Sequence, residues 1–140
     1  MKLAFGADHA GFALKQHLAD VARNAGHTVV DFGTNGPESV DYPDYGEAVG
    51  RAVVNGEAEL GVVICSNGVG ISIAANKVPG VRAALCTDAE TARGARRWND
   101  ANVLAFGLRL TTAALAEELL DAFLDTAADP SEADNVAKLA

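Results

Sequence analysis

The 140-residue chain is 49% hydrophobic and 21% charged, the balance of an ordinary globular protein of one domain. A formal charge of −8 argues against a nucleic-acid partner, which needs clustered cations, and no apolar run approaches the roughly 20 residues of a membrane span. The opening Met1-Lys2-Leu3-Ala4-Phe5-Gly6-Ala7-Asp8 turns polar too soon for a secretion signal, so a cytoplasmic protein is expected.

Apolar runs alternate with helical patterns along the chain. Lys2–Ala7 reads as a strand, followed by an amphipathic stretch from Gly11 to Ala25 that Gly26 stops. His27–Phe32 is the second strand, closed by the turn cluster Gly33-Thr34-Asn35-Gly36-Pro37. A helix is predicted from about Tyr45 to Val54, ending at Asn55-Gly56. Leu60–Cys65 is continuously apolar, as a strand buried on both faces should be. Ser66–Gly70 then leads into the apolar Ile71–Ala75. Arg82–Leu85 is the fourth strand, and Asp88–Trp98 a helix capped by Thr87 or Asp88. Asn102–Phe106 is the fifth strand, and Thr111–Ala127 a helix capped by Thr111 or Thr112. Pro130 breaks it before a short tail. This alternation predicts a single-domain α/β fold, a Rossmann-like three-layer sandwich around a five-stranded parallel sheet. Ligands of such sheets bind beyond the carboxyl ends of the strands.

After strand one stand Asp8 and His9, an acid and an imidazole able to bind hydroxyls or move protons; Asp8 alone could equally be a helix cap. After strand three comes Cys65-Ser66-Asn67-Gly68-Val69-Gly70. Small residues at a helix start let amide N–H groups face an anion or a developing oxyanion. A cysteine there is expected to carry thiolate character, although a free cysteine ending a buried strand is also ordinary core. Cys86 reads as buried filler. The two thiols form no CxxC pair, and with three histidines no structural zinc site is expected. The turn is neither a phosphate loop nor a dinucleotide fingerprint. Five of the 11 basic residues fall between Arg82 and Arg109, either an anion-binding patch or solvated arginines. Trp98 could stack on a sugar or pack, and Arg109 stands where an anion-binding arginine would serve.

Together, Asp8-His9-Ala10-Gly11, Asp41-Tyr42-Pro43-Asp44-Tyr45, Cys65 with Gly68–Lys77, and Asn99–Gly107, in that order, resemble the ribose-5-phosphate isomerase type B family, which includes the galactose-6-phosphate isomerase subunits. The resemblance covers residues 1 to 126. It implies aldose–ketose isomerisation through a cis-enediolate, with neither metal nor cofactor. Cys65 would be the base. The amides of Gly68, Val69 and Gly70, with Asn99, would hold the enediolate oxygen, and Ser66 would help bind the substrate. Asp8 would shuttle protons among substrate oxygens. His9 and Arg109 would bind a distal phosphate, and Tyr42 would line the pocket. Each site would be shared between two subunits of a homodimer or a dimer of dimers.

The chain also departs from the pattern the resemblance brings. Trp98 stands where the family usually has the histidine that opens the furanose ring, and Asn67 replaces a threonine that assists, so ring opening would fall to Asn67 or Asp8. The tail from 128 to 140 holds no arginine, where relatives carry several for phosphate. Each lost charge-assisted hydrogen bond is worth about 1.5–3 kcal/mol, so an altered or broadened substrate range is expected. A tetrose 4-phosphate, an unphosphorylated aldose, or a non-catalytic role beside a second homologous chain are the alternatives.

Overall fold

The computed structural model describes residues 1–140. Five strands, β1 (Lys2–Ala7), β2 (Thr28–Asp31), β3 (Leu60–Cys65), β4 (Ala83–Leu85) and β5 (Val103–Gly107), form one parallel sheet in the order β2-β1-β3-β5-β4. The principal helices are α1 (Phe12–Asn24), α2 (Tyr42–Val54), α3 (Val69–Asn76), α4 (Ala89–Asn99) and α5 (Ala113–Asp125). None is long and apolar enough to cross a membrane.

Strand parity assigns the two faces. Leu3, Phe5 and Ala7 of β1, Val62 and Ile64 of β3, and Leu104 and Phe106 of β5 pack against α1, α4 and α5. Ala4, Val63, Cys65, Val103 and Ala105 point the other way, onto Val49 and Ala52 of α2 and Ile71 and Ala75 of α3. Phe5, Phe106 and Phe123 are fully buried, each contributing about 1.5–3 kcal/mol. The three layers and the parallel sheet agree with the sequence reading.

The chain leaves β1 by α1 on one face and reaches β3 by α2 on the other. The strand order therefore reverses between β1 and β3, and the region beyond their carboxyl ends is where ligands of such sheets bind. Asp8 and Cys65 flank it.

Several boundaries differ from expectation. α2 starts at Tyr42 rather than Tyr45, because Pro43 occupies the first turn, where a missing N–H costs nothing. Val69 and Gly70 already belong to α3. The Asp88 carboxylate accepts the Thr91 N–H and the Thr112 hydroxyl accepts the Leu115 N–H, which settles the two open caps. α5 stops at Asp125, before Pro130, and the tail is folded: a 3-10 turn at Pro130–Glu132 and a short helix α6 (Ala133–Ala137) lie against α4.

Candidate active site

Three strand ends meet at the crevice. Ala7 pairs with Ile64 and Cys65 with Gly107, so Asp8, Cys65 and the residues after Gly107 stand side by side on β1, β3 and β5. Neighbouring strands are about 4.8 Å apart, which sets the spacing of these strand ends.

Cys65 shares its face with Val63, so its sulfur is aimed at the start of α3. The Gly68 N–H donates to Sγ at 3.2 Å, and the Asn67 carboxamide oxygen lies 4.0 Å away. Only 4% of the residue is exposed. Gly68 adopts φ +80, and a Cβ there would press on the Phe106 carbonyl carbon at 2.6 Å, so only glycine makes this turn.

The turn corrects one detail of the oxyanion reading. The three amides of Gly68, Val69 and Gly70 are not equally available. Gly68 is taken by the sulfur, and Val69 donates to the Asn67 Oδ1 at 3.0 Å. The amides of Gly70 and of the next residue, Ile71, have no protein acceptor, because they belong to the first turn of α3. Of the three expected amides only that of Gly70 is free within the chain, and Ile71 adds a second. Asn67 is committed through its oxygen to that turn.

Asp8 does two jobs. Its Oδ1 accepts the N–H groups of Ala10 and Gly11, the capping role, while Oδ2 has no protein partner. The residue is buried, 6% exposed. His9 is exposed, with Nδ1 accepting the Val40 N–H at 3.1 Å. That bond leaves Nε2 as the outward-facing nitrogen. Ser66 is exposed, and its carbonyl accepts the Arg109 N–H at 3.0 Å, which ties the two loops together. The Arg109 guanidinium is exposed and bonded to no side chain. The Tyr42 ring lies over Gly70, where an added Cβ would come within 2.5 Å of it.

Two expected residues are not brought to this site by their own chain. α4 begins at the carboxyl edge of β4 and runs back for 11 residues, about 16 Å. Asn99 therefore lies near the opposite edge, where Asn102 bonds Arg82, while the Trp98 ring folds back over Gly94. Trp98, 54% exposed, lines an open groove with Ala84, Leu85 and Asn99. None of the chain's broader concavities includes Cys65, Asp8 or His9.

Cys86 is the inert thiol the sequence suggests. Burial, reinforced by the Asp88 charge, pushes it from 9.0 up to about 11. Because the folded value lies above the unfolded one, its contribution to stability is complete below pH 9 and is lost as pH rises toward 11.

Gly107 is expected to tolerate no side chain. A Cβ would lie 2.3 Å from the backbone carbon of Asn67, so Gly107→Ala must displace the turn beneath the sulfur. Denaturant unfolding should show a loss of about 1–3 kcal/mol, accompanied by a fall in kcat.

The model of the family described as Ribose/Galactose Isomerase matches residues 3–139. Ribose-5-phosphate isomerase B of Escherichia coli is 47% identical over 123 residues, 88% of this chain and 83% of that protein. The galactose-6-phosphate isomerase subunit LacB of Clostridium acetobutylicum is 42% identical over 132 residues, 94% of this chain and 76% of its own. The solved structure of Clostridium thermocellum ribose-5-phosphate isomerase B superposes with a TM-score of 0.97 at 49% identity, covering 99% of this chain and 95% of that one. With nearly the whole chain matched in sequence and in fold, this protein belongs to the ribose/galactose isomerase family and is an aldose–ketose isomerase.

Proposed function

We propose that the chain interconverts an aldose phosphate and its ketose, of the ribose 5-phosphate type, through a cis-enediolate with Cys65 as base. The observation that carries this reading is the Cys65 sulfur, held by the Gly68 N–H at a turn whose Gly70 and Ile71 amides are unpartnered. In the open-chain aldose, the thiolate takes the proton from C2. The C2–H electron pair forms the C1–C2 double bond, and charge moves to O1. The Gly70 and Ile71 amides stabilise that oxygen because they are aimed before the charge develops. Asp8 Oδ2 carries a proton from O2 to O1. The thiol then returns its proton to C1, and the ketose is formed. Arg109 and His9 Nε2 face the far end of the sugar, where a phosphate would sit.

Asn99 and Trp98 enter this scheme from a second copy. The isolated chain exposes Val69 and Ile73 on α3, Leu85 on the edge strand β4, Trp98 on α4, and Leu108 and Leu110 beyond β5. Such an apolar set surrounding the site and extending to Asn99 suits a homodimer in which each copy completes the other's crevice.

The folded tail favours a second reading of the substrate. It carries Asp129, Glu132 and Asp134 against a single cation, Lys138, and packs beside α4. A tail of that charge offers a phosphate nothing, so a shorter tetrose 4-phosphate or a free aldose is the alternative. The experiment is turnover of ribose 5-phosphate, tetrose 4-phosphates, hexose 6-phosphates and free aldoses by the purified chain. Ribose 5-phosphate is expected to give the highest kcat/KM. A preference for free aldoses would remove the phosphate assignment. Silence relieved by a second homologous chain would make this a subunit of a mixed assembly.

A further inference from the structure

Lys15 is a lysine with no exposed surface, on the sheet-facing side of α1. Its Nζ donates to both Asp31 oxygens at 2.7 and 2.8 Å, to Gln16 Oε1 at 3.2 Å and to Asn35 Oδ1 at 3.3 Å, and stands 5.7 Å from the centre of the Phe12 ring. Asp31 also accepts the Gly33 N–H at 2.8 Å. A buried ammonium persists only with such complete partnering.

The position of these partners is what matters. Residues 32–41 connect β2 to α2 without regular structure. This segment walls the Asp8–His9 side of the crevice. It exchanges two backbone bonds with Ala7, through Gly33 O and the Thr34 N–H, and the Val40 N–H holds His9 Nδ1. It ends at Tyr42, whose ring covers Gly70. Lys15 ties the first half of the segment to α1.

We propose that Lys15 is a positioning residue for the isomerisation site, an internal ionic anchor that sets the 32–41 wall and through it His9 and Tyr42. It touches no reacting atom. The inference rests on the sugar-binding reading of His9 and Tyr42, so its test has one readout that needs no substrate.

Lys15→Met alone strands a carboxylate and can fail by misfolding. The informative variant is Lys15→Met with Asp31→Leu, since replacing both partners of a buried pair by apolar groups is commonly neutral for stability. In the double variant, KM for ribose 5-phosphate should rise about tenfold or more with kcat within about threefold, because the wall binds and does no chemistry. Amide hydrogen exchange at Val40 should accelerate by a similar factor while the β1 and β3 amides stay protected. A double variant of wild-type stability, KM and Val40 exchange would reduce the pair to a stabilising contact and overturn the proposal. Should no sugar phosphate be turned over by the unsubstituted chain, the isomerase reading fails, and the Val40 exchange still decides whether the Lys15–Asp31 pair anchors the wall.

Discussion

Cys65→Ala is expected to lower kcat on the order of a thousandfold while leaving the fold intact, the loss typical of removing a positioned general base. The side chain packs among Val63, Ile71 and Ala105, and loss of one sulfur leaves a cavity worth about 1 kcal/mol, small against the usual 5–15 kcal/mol of stability. Cys65→Ser separates basicity from shape. A hydroxyl can still accept the Gly68 N–H and fill the space, but it keeps its proton at neutral pH, so turnover should remain lost. Alkylation gives the same answer without mutation. Iodoacetamide should inactivate with one adduct at Cys65, because Cys86, pushed up to about 11, stays protonated across the neutral range. Cys86→Ala should react and inactivate as the unsubstituted chain does. Initial rates at saturating substrate, with denaturant midpoints for each variant, make the comparison. A Cys65→Ala chain retaining more than about a tenth of the rate would take the base role away from this sulfur.

The parts of the site that depend on the order of residues along one strand end were readable in advance. Cys65 and its glycine turn follow a buried strand, and a short stiff turn allows few geometries, so the sulfur-to-amide contact could be anticipated. The ownership of each amide could not. It depends on whether Asn67 turns its carboxamide onto Val69, a choice among rotamers that composition does not set. The start of α2 was hidden because Asp41-Tyr42-Pro43-Asp44 has the composition of a turn, and the same proline also suits a first helical turn. Lys15 was hidden for a different reason. A lysine on an amphipathic helix reads as solvent-facing, and its partner Asp31 lies 16 residues away. One signal was present. Lys15 falls on the stripe of Leu14, Leu18, Ala19 and Ala22, all buried, so it occupies a core position of α1. The strand order, and with it the crevice between β1 and β3, came from tertiary packing. The separation of Asn99 from Cys65 followed from that order and from the direction of α4.

That separation gives the sharpest test of how the site is assembled. Asn99 is exposed at the end of α4 and its carboxamide bonds nothing in its own chain, so Asn99→Ala should cost little stability. If Asn99 serves as an enediolate donor in the crevice of a partner copy, the same change should lower kcat by about a hundredfold to a thousandfold, as loss of one oxyanion donor does. Each single variant, Cys65→Ala or Asn99→Ala, is then nearly inactive alone. Co-expression of the two with different affinity tags changes the outcome. Random pairing makes about half of the dimers mixed, and each mixed dimer holds one site with both residues intact and one with both removed. About a quarter of the unsubstituted activity should return in the mixture, and about half in mixed dimers purified through both tags. A site built within one chain predicts no recovery, since every chain would carry a defect in its own crevice. Recovery would also show that the apolar surface from Val69 to Trp98 is covered in the working enzyme, because a residue at the far edge of the sheet reaches the sulfur only across that contact.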